Sequence, residues 1–120
     1  MVDRLSKEAL RKIISGQVKE EASCFIKFYG NQCKYCIHLK EPFEKFAEET
    51  EDAYFFAFNI ADYPHVQKIL NFKGVPTIVA VKAGGIKPKI RVLSDPPTDR
   101  RNKVTWYNIE DIQKFIEKEK

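Results

Sequence analysis

The stretch FYGNQCKYC, residues 28–36, holds two thiols three positions apart, Cys33 and Cys36. A pair at that spacing serves one of two chemistries. Either both thiolates ligate a metal, or they close into a disulfide and open again. A structural zinc site usually needs four ligands. The other conceivable donors are Cys24, inside a run that reads as a buried strand, and His38, two residues after Cys36. No second CxxC or CxxH pair occurs. The pair therefore reads as redox-active, with no metal and no bound cofactor.

The neighbouring elements say how the thiols are held. Residues 23–29, SCFIKFY, read as a strand. From Lys34 to about Thr50, a helical stripe follows through Cys36, Leu39, Phe43, Phe46 and Ala47. Cys33 thus falls at the first turn of a helix, straight after a strand. A helix start leaves N–H groups unpaired and carries a partial positive charge. Both favour a thiolate, and cysteine there can titrate at about 3.5–7.5 instead of about 8.5. Cys33, at the outer end, is expected to be the exposed nucleophile. Cys36, one turn in, is expected to be the shielded thiol that resolves a mixed disulfide. Lys34, beside Cys33, is a candidate for stabilising its thiolate. Cys24 reads as a packed core thiol, and His38 and His65 as solvated helix residues.

Further elements complete an α/β order. Leu5, Ala9, Leu10, Ile13 and Ile14 share one helical face that ends near Gly16. AYFFAFNI is a strand apolar on both faces, as in a sheet covered on two sides. Pro64 suits the first turn of a short helix through Leu70, with Asp62 or Tyr63 near its cap. TIVAVKA and KIRVL are two more strands, the first closed by Gly84 and Gly85. Asn108 is expected to cap a last helix in which Ile109, Ile112, Phe115 and Ile116 line up. The intervening SDPPTDRRNK is a polar loop. No strand is evident ahead of the first helix. The order implies a central mixed sheet of four strands, with a fifth allowed, flanked by helices.

Composition narrows the function. With 120 residues, the chain is expected to be a single domain, residues 1–120, and nine Phe can supply much of its core. The net charge of +4 is mild and no Lys/Arg-rich block stands out, so no nucleic-acid partner is expected. No apolar stretch is long enough for a membrane span, and MVDRLSKEAL lacks the apolar core of a signal peptide. A reducing, cytoplasmic location is expected. Three cysteines, an odd number, argue against a structural disulfide framework.

About forty residues after the cysteines, Gly74-Val75-Pro76-Thr77 stands directly before a strand. CxxC followed at this distance by GVPT, together with the Asn59-Ile60…Pro64 segment, resembles the thioredoxin family from about Ser23 to Lys82 and again in the last helix. The resemblance implies the thioredoxin fold and a protein thiol–disulfide oxidoreductase working through Cys33 and Cys36. It implies a cis peptide at Pro76, facing the disulfide. The backbone of Val75 is thereby left free to pair with an extended substrate, with Gln32 alongside. Expected partners are protein disulfides and a thioredoxin-reductase-like electron donor, with the protein a monomer.

Departures from the family pattern tune this expectation. Gln32 replaces the usual Trp before the first cysteine, and Lys34-Tyr35 replaces Gly-Pro between the two. Tyr35 is similar to the tyrosine of glutaredoxins, so a glutathione-dependent enzyme is an alternative, to which Gly84-Gly85 also points. Family members carry a buried acid six residues before the first cysteine; here that residue is Lys27, and Ala57 stands where a partner lysine often lies. Loss of the acid motivates a second alternative, a binding adaptor without turnover. A cation at Lys27 would favour thiolate over thiol and make the couple more oxidising. Trp106 and Tyr107 read as ordinary core and rim. The loop from Ser94 to Lys103 is expected to border the groove and choose partners.

Overall fold

The computed structural model describes all 120 residues. They form β1 (Val2–Arg4), α1 (Lys7–Ile14), β2 (Ala22–Tyr29), α2 (Lys34–Glu49), β3 (Tyr54–Asn59), α3 (Val66–Leu70), β4 (Thr77–Ala83), β5 (Lys89–Val92) and α4 (Ile109–Glu119). Short 3-10 turns lie at Ile60–Asp62 and Thr98–Arg100. One five-stranded sheet runs in the order β1-β3-β2-β4-β5. β2 pairs parallel with β3 and antiparallel with β4. β1 joins β3 in parallel and β5 joins β4 antiparallel, so the sheet is mixed.

Alternation along the strands sorts side chains onto two faces. Phe25, Phe55, Ile78 and Ala80 meet Leu39, Phe43 and Phe46 of α2 and Ile112 and Ile116 of α4. Ile26, Phe28, Phe58, Val79 and Val81 meet Leu10 and Ile13 of α1 and Val66 and Leu70 of α3. Both faces are covered, which is why β2, β3 and β4 are apolar throughout rather than in alternation. Each fully buried Phe contributes roughly 2–3 kcal/mol. Lys27 breaks the pattern: it lies on the α2 face of the central strand and is only 4% exposed.

Local chemistry sets the ends of these elements. Ser6 caps α1 by accepting from the Ala9 N–H at 3.0 Å. Asn71 ends α3 in the left-handed region (φ 60°), which asparagine tolerates. The fifth strand that the order allowed is present, although none was evident ahead of α1: β1 is three residues long with one apolar member, too short for any periodicity, and it is defined only by its pairing with Phe55–Ala57. Two expectations change. The short helix starts at Val66, two residues beyond Pro64, with His65 at its N-cap: the Val66 and Gln67 N–H groups donate to the Tyr63 and Pro64 carbonyls in a tight turn ahead of the regular helix. Asn108 takes the N-cap position of α4, but its side chain donates to the Arg100 carbonyl (2.8 Å) and does not cap the helix.

Candidate active site

The site is built at the ends of β2 and β4 and the start of α2. β2 runs out at Tyr29 and the chain turns through Gly30 and Asn31 to Cys33, the N-cap of α2. Asn31 Oδ1 accepts from Asn59 Nδ2 at 2.7 Å, tying this turn to the end of β3. Cys33 and Cys36 are joined as a disulfide, with Cα atoms 5.2 Å apart. The Cys36 N–H donates to Cys33 Sγ at 3.1 Å, so the thiol takes the place of a capping oxygen. Cys33 is half-buried, whereas Cys36 is 5% exposed. The first turn of α2 has no acidic residue to oppose a thiolate.

Facing this turn is the segment before β4. Thr77 pairs with Phe28, so Val75 and Pro76 lie level with the exit of β2. A Cβ on Gly30 would meet Val75 Cγ2 at 3.1 Å, a measure of how closely the two segments pack. The Val75–Pro76 peptide is cis. Gly74 enters the turn at φ +85°, where a side chain would be strained. The Gly74 N–H donates to Gln67 Oε1 (2.8 Å), and Thr77 Oγ1 donates back to the Gly74 carbonyl (2.8 Å). Pro76 is buried, Val75 is half-buried and Gln32 is exposed ahead of Cys33.

A third segment completes the site: the loop from Ser94 to Lys103 was expected at the groove, but Trp106 and Tyr107 just after it were read as ordinary core and rim. Tyr107, 1% exposed, donates its phenol O–H to the Pro76 carbonyl at 3.3 Å. Burial, reinforced by the charge of Asp95, pushes that phenol well above the usual tyrosine range, so it remains a donor. Trp106 packs edge-on against Tyr35 of the dithiol turn, ring centroids 5.3 Å apart. Its φ of +68° is unusual for a bulky residue. Asn102 holds it there through two backbone bonds of 3.0 Å, while Asn102 Oδ1 accepts from the Val104 and Thr105 N–H groups. The chain's lone tryptophan, placed just ahead of a helix, was the available signal.

Lys27 sits under the dithiol. With Cys36, Ile37, Lys40, Glu44 and Ala57 it lines an open cleft of about 560 Å³ between α2 and the β1–β3 edge. Its Nζ lies 5.4 Å from the centre of the Phe43 ring. Glu44 stays beyond ion-pair distance of it, since the one salt bridge of the structure is Glu117–Lys120. Burial lowers the Lys27 amine from 10.5 to about 8, a fall that Glu44 opposes and Lys40 assists. Lys27 and Ala57 are register partners on β2 and β3, so neither an acid nor a second lysine stands between them. Lys34 is exposed beside Cys33. Cys24 is buried and unbonded, and its thiol is pushed up by desolvation; His38 is exposed on α2.

A cysteine pair that opens and closes its S–S bond takes up or gives two electrons. On a mixed sheet with helices on both faces, such a pair at a helix start defines a thiol–disulfide oxidoreductase with the thioredoxin fold. The family described as Thioredoxin matches residues 2–98, and the chain belongs to the thioredoxin family. A thioredoxin of Mycoplasma genitalium is 28% identical over 75 residues, covering 57% of this chain and 74% of that protein. The thioredoxin Mala s 13 of Malassezia sympodialis superposes with a TM-score of 0.67 at 17% identity, over 99% of this chain and 90% of that one. The J-Trx1 fragment of ERdj5 gives a TM-score of 0.66 at 18% identity over 98% of this chain, which spans 49% of that fragment. At these identities the two structures speak for the fold. Members of the family act on protein disulfides with a reductase partner. No helix is long and apolar enough to cross a membrane.

Proposed function

We propose that the protein reduces or exchanges protein disulfides with Cys33 as attacking thiol and Cys36 as resolving thiol. The observation that carries this assignment is the asymmetry of the pair: Cys33 is the more open and sits at the helix N-cap, while Cys36 is one turn in and 5% exposed. In the reduced protein, the Cys36 N–H and the helix start stabilise the Cys33 thiolate. That thiolate attacks one sulfur of a substrate disulfide. A Cys33–substrate bond forms, and the first substrate sulfur leaves as a thiolate and takes up a proton. Cys36, once deprotonated, attacks Cys33 Sγ and releases the second substrate sulfur. The protein ends as the disulfide and the substrate as the dithiol, with two electrons transferred. An external dithiol reductase, or two glutathione molecules, then reduces the Cys33–Cys36 disulfide back to the dithiol and is itself oxidised to a disulfide.

The supporting parts each have one task. The backbone of Val75, beside the cis Pro76, is free to pair with an extended substrate, with Gln32 at the rim. Tyr107 fixes the Pro76 carbonyl, and Tyr35 packs between the dithiol and Trp106. Lys27 takes the place of a proton-handling carboxylate. As a cation beneath Cys36 it favours thiolates, and as a free amine it can accept the Cys36 proton. Mass spectrometry of variants tests the assignment. Cys33→Ser should abolish reduction of insulin, and Cys36→Ser should accumulate mixed disulfides through Cys33. Trapping by Cys33→Ser instead would reverse the roles. Supplying electrons through glutathione or through a thioredoxin reductase, in parallel assays, identifies the donor.

A further inference from the structure

The charges around the dithiol are one-sided. Three segments converge on it: 27–40 with the cysteines, 71–79 with Pro76, and 100–108 with Trp106. None of them contains Asp or Glu, although Asp95 and Asp99 lie just ahead of the last one, and they carry the exposed Lys34, Lys40, Lys73, Arg100 and Lys103 and the half-buried Arg101. The last segment lies past residue 98, where the match to the family ends. None of these cations is in a salt bridge, since Glu117–Lys120 is the one such pair in the structure.

Arg101 is the best placed of them. Its guanidinium lies over the Trp106 ring at 4.3 Å, and Trp106 in turn touches Tyr35, between the two cysteines. Its Nε is buried with no hydrogen-bond partner. The one carboxylate that touches this stack, Asp95, accepts from the indole N–H at 3.1 Å and forms no ion pair with Arg101. Stacking holds the planar fork in one orientation, so little side-chain freedom is left to lose when a carboxylate arrives. The strained φ of Trp106, held by Asn102, keeps the ring there.

We propose that this face is a docking surface for an acidic segment of the substrate protein, in which a carboxylate flanking the substrate's cysteine pairs with Arg101, which is stacked on the Trp106 that packs against Tyr35 of the dithiol turn. The inference rests on the dithiol reading above and adds the substrate class to it. A protein, rather than a nucleic acid, is the occupant because Arg101 reaches, through Trp106 and Tyr35, a cysteine pair whose chemistry acts on disulfides. Arg101 is a specificity-determining residue: it selects the partner and touches neither sulfur.

Trp106 is the chain's one tryptophan, so its fluorescence reports docking independently of turnover. Two short peptides suffice, with a central serine flanked by Glu in one and by Lys in the other. The acidic peptide should bind about five- to tenfold more tightly at low salt, the scale of one partly exposed ion pair with a hydrogen bond. The preference should shrink at high salt. Arg101→Gln should remove most of it, and Arg101→Lys, which keeps the charge and loses the fork, should restore part. Lys12→Gln on α1, across the sheet, loses the same net charge and should retain the preference. Equal binding of the two peptides would overturn the proposal, as would a preference untouched by Arg101→Gln. Tighter binding of a single-stranded oligonucleotide than of the acidic peptide would overturn it in favour of a nucleic-acid surface. In the rate arm, cysteine versions of the peptides are offered as disulfides. Reduction of both at equal rates overturns this inference alone, whereas reduction of neither overturns the dithiol reading and this one with it.

Discussion

Replacing Lys27 by methionine should make the protein more stable at neutral pH. The side chain is 4% exposed and its amine titrates at about 8, against 10.5 when free. At about 1.4 kcal/mol per pH unit, folding costs about 3 kcal/mol more with Lys27 charged than with it neutral. The sign follows from proton counts. Between about pH 8 and pH 10.5 the unfolded chain keeps the Lys27 proton and the folded one has lost it, so stability rises with pH. Below pH 8 the cost is fully present, and above 10.5 it has gone. That difference is already net of what the charged amine touches, the Phe43 ring included, so the gain for Lys27→Met at pH 7 is on the order of 2–3 kcal/mol. Methionine keeps the unbranched stem, so packing changes little. Urea denaturation of the oxidised proteins, at pH 7 and at several values up to pH 10, measures the difference with all other titrations shared. A Met variant no more stable than wild type at pH 7 would refute the reasoning, as would an advantage that does not decline between pH 8 and pH 10.

The same substitution should lower the reduction potential of the Cys33–Cys36 couple, by about 30 mV if about 1.4 kcal/mol of thiolate stabilisation is lost; redox titration against glutathione reads this, and an unchanged potential would mean that the Lys27 charge does not reach the sulfurs. Tyr107→Phe should cost about 1 kcal/mol in stability by leaving the Pro76 carbonyl without its partner, and should reduce kcat/KM toward protein disulfides; urea midpoints and an insulin assay check the two effects separately. Cys24→Ser should leave disulfide reduction intact while destabilising the core by about 1–3 kcal/mol, because a hydroxyl replaces a thiol that is 6% exposed and unbonded. Shortening the loop 94–103 should slow reduction of a protein substrate more than that of a small disulfide; equal losses on both would mark the loop as structural.

Much of the site was legible because its causes are local. A strand followed at once by CxxC and an amphipathic helix puts Cys33 at a helix start whatever else the chain does; that GVPT forms the facing turn was implied by the resemblance to the family. The run AYFFAFNI, apolar on both faces, announced a strand in a sheet covered on two sides. Local reasoning failed where a partner distant in sequence decides. β1 has no periodicity to read, and only its pairing with Phe55–Ala57 makes it a strand. Asn108 has the chemistry of a helix cap, but tertiary contact gives its amide to Arg100 instead.

The residues themselves determined that two thiols stand one helical turn apart, that a lysine occupies the central strand six residues before Cys33, and that a lone tryptophan precedes the last helix. Only the folded structure decided what these do. Packing of α2 against the sheet strips water from Lys27 and brings Glu44 and Lys40 to it, and that desolvation lowers its amine to about 8. Convergence of three segments sets Trp106 on Tyr35, Arg101 on Trp106 and Tyr107 under Pro76. Thiol chemistry needs only near neighbours in the chain, and so it is written in a short motif. Solvation and recognition depend on which distant segments meet, and no motif records that.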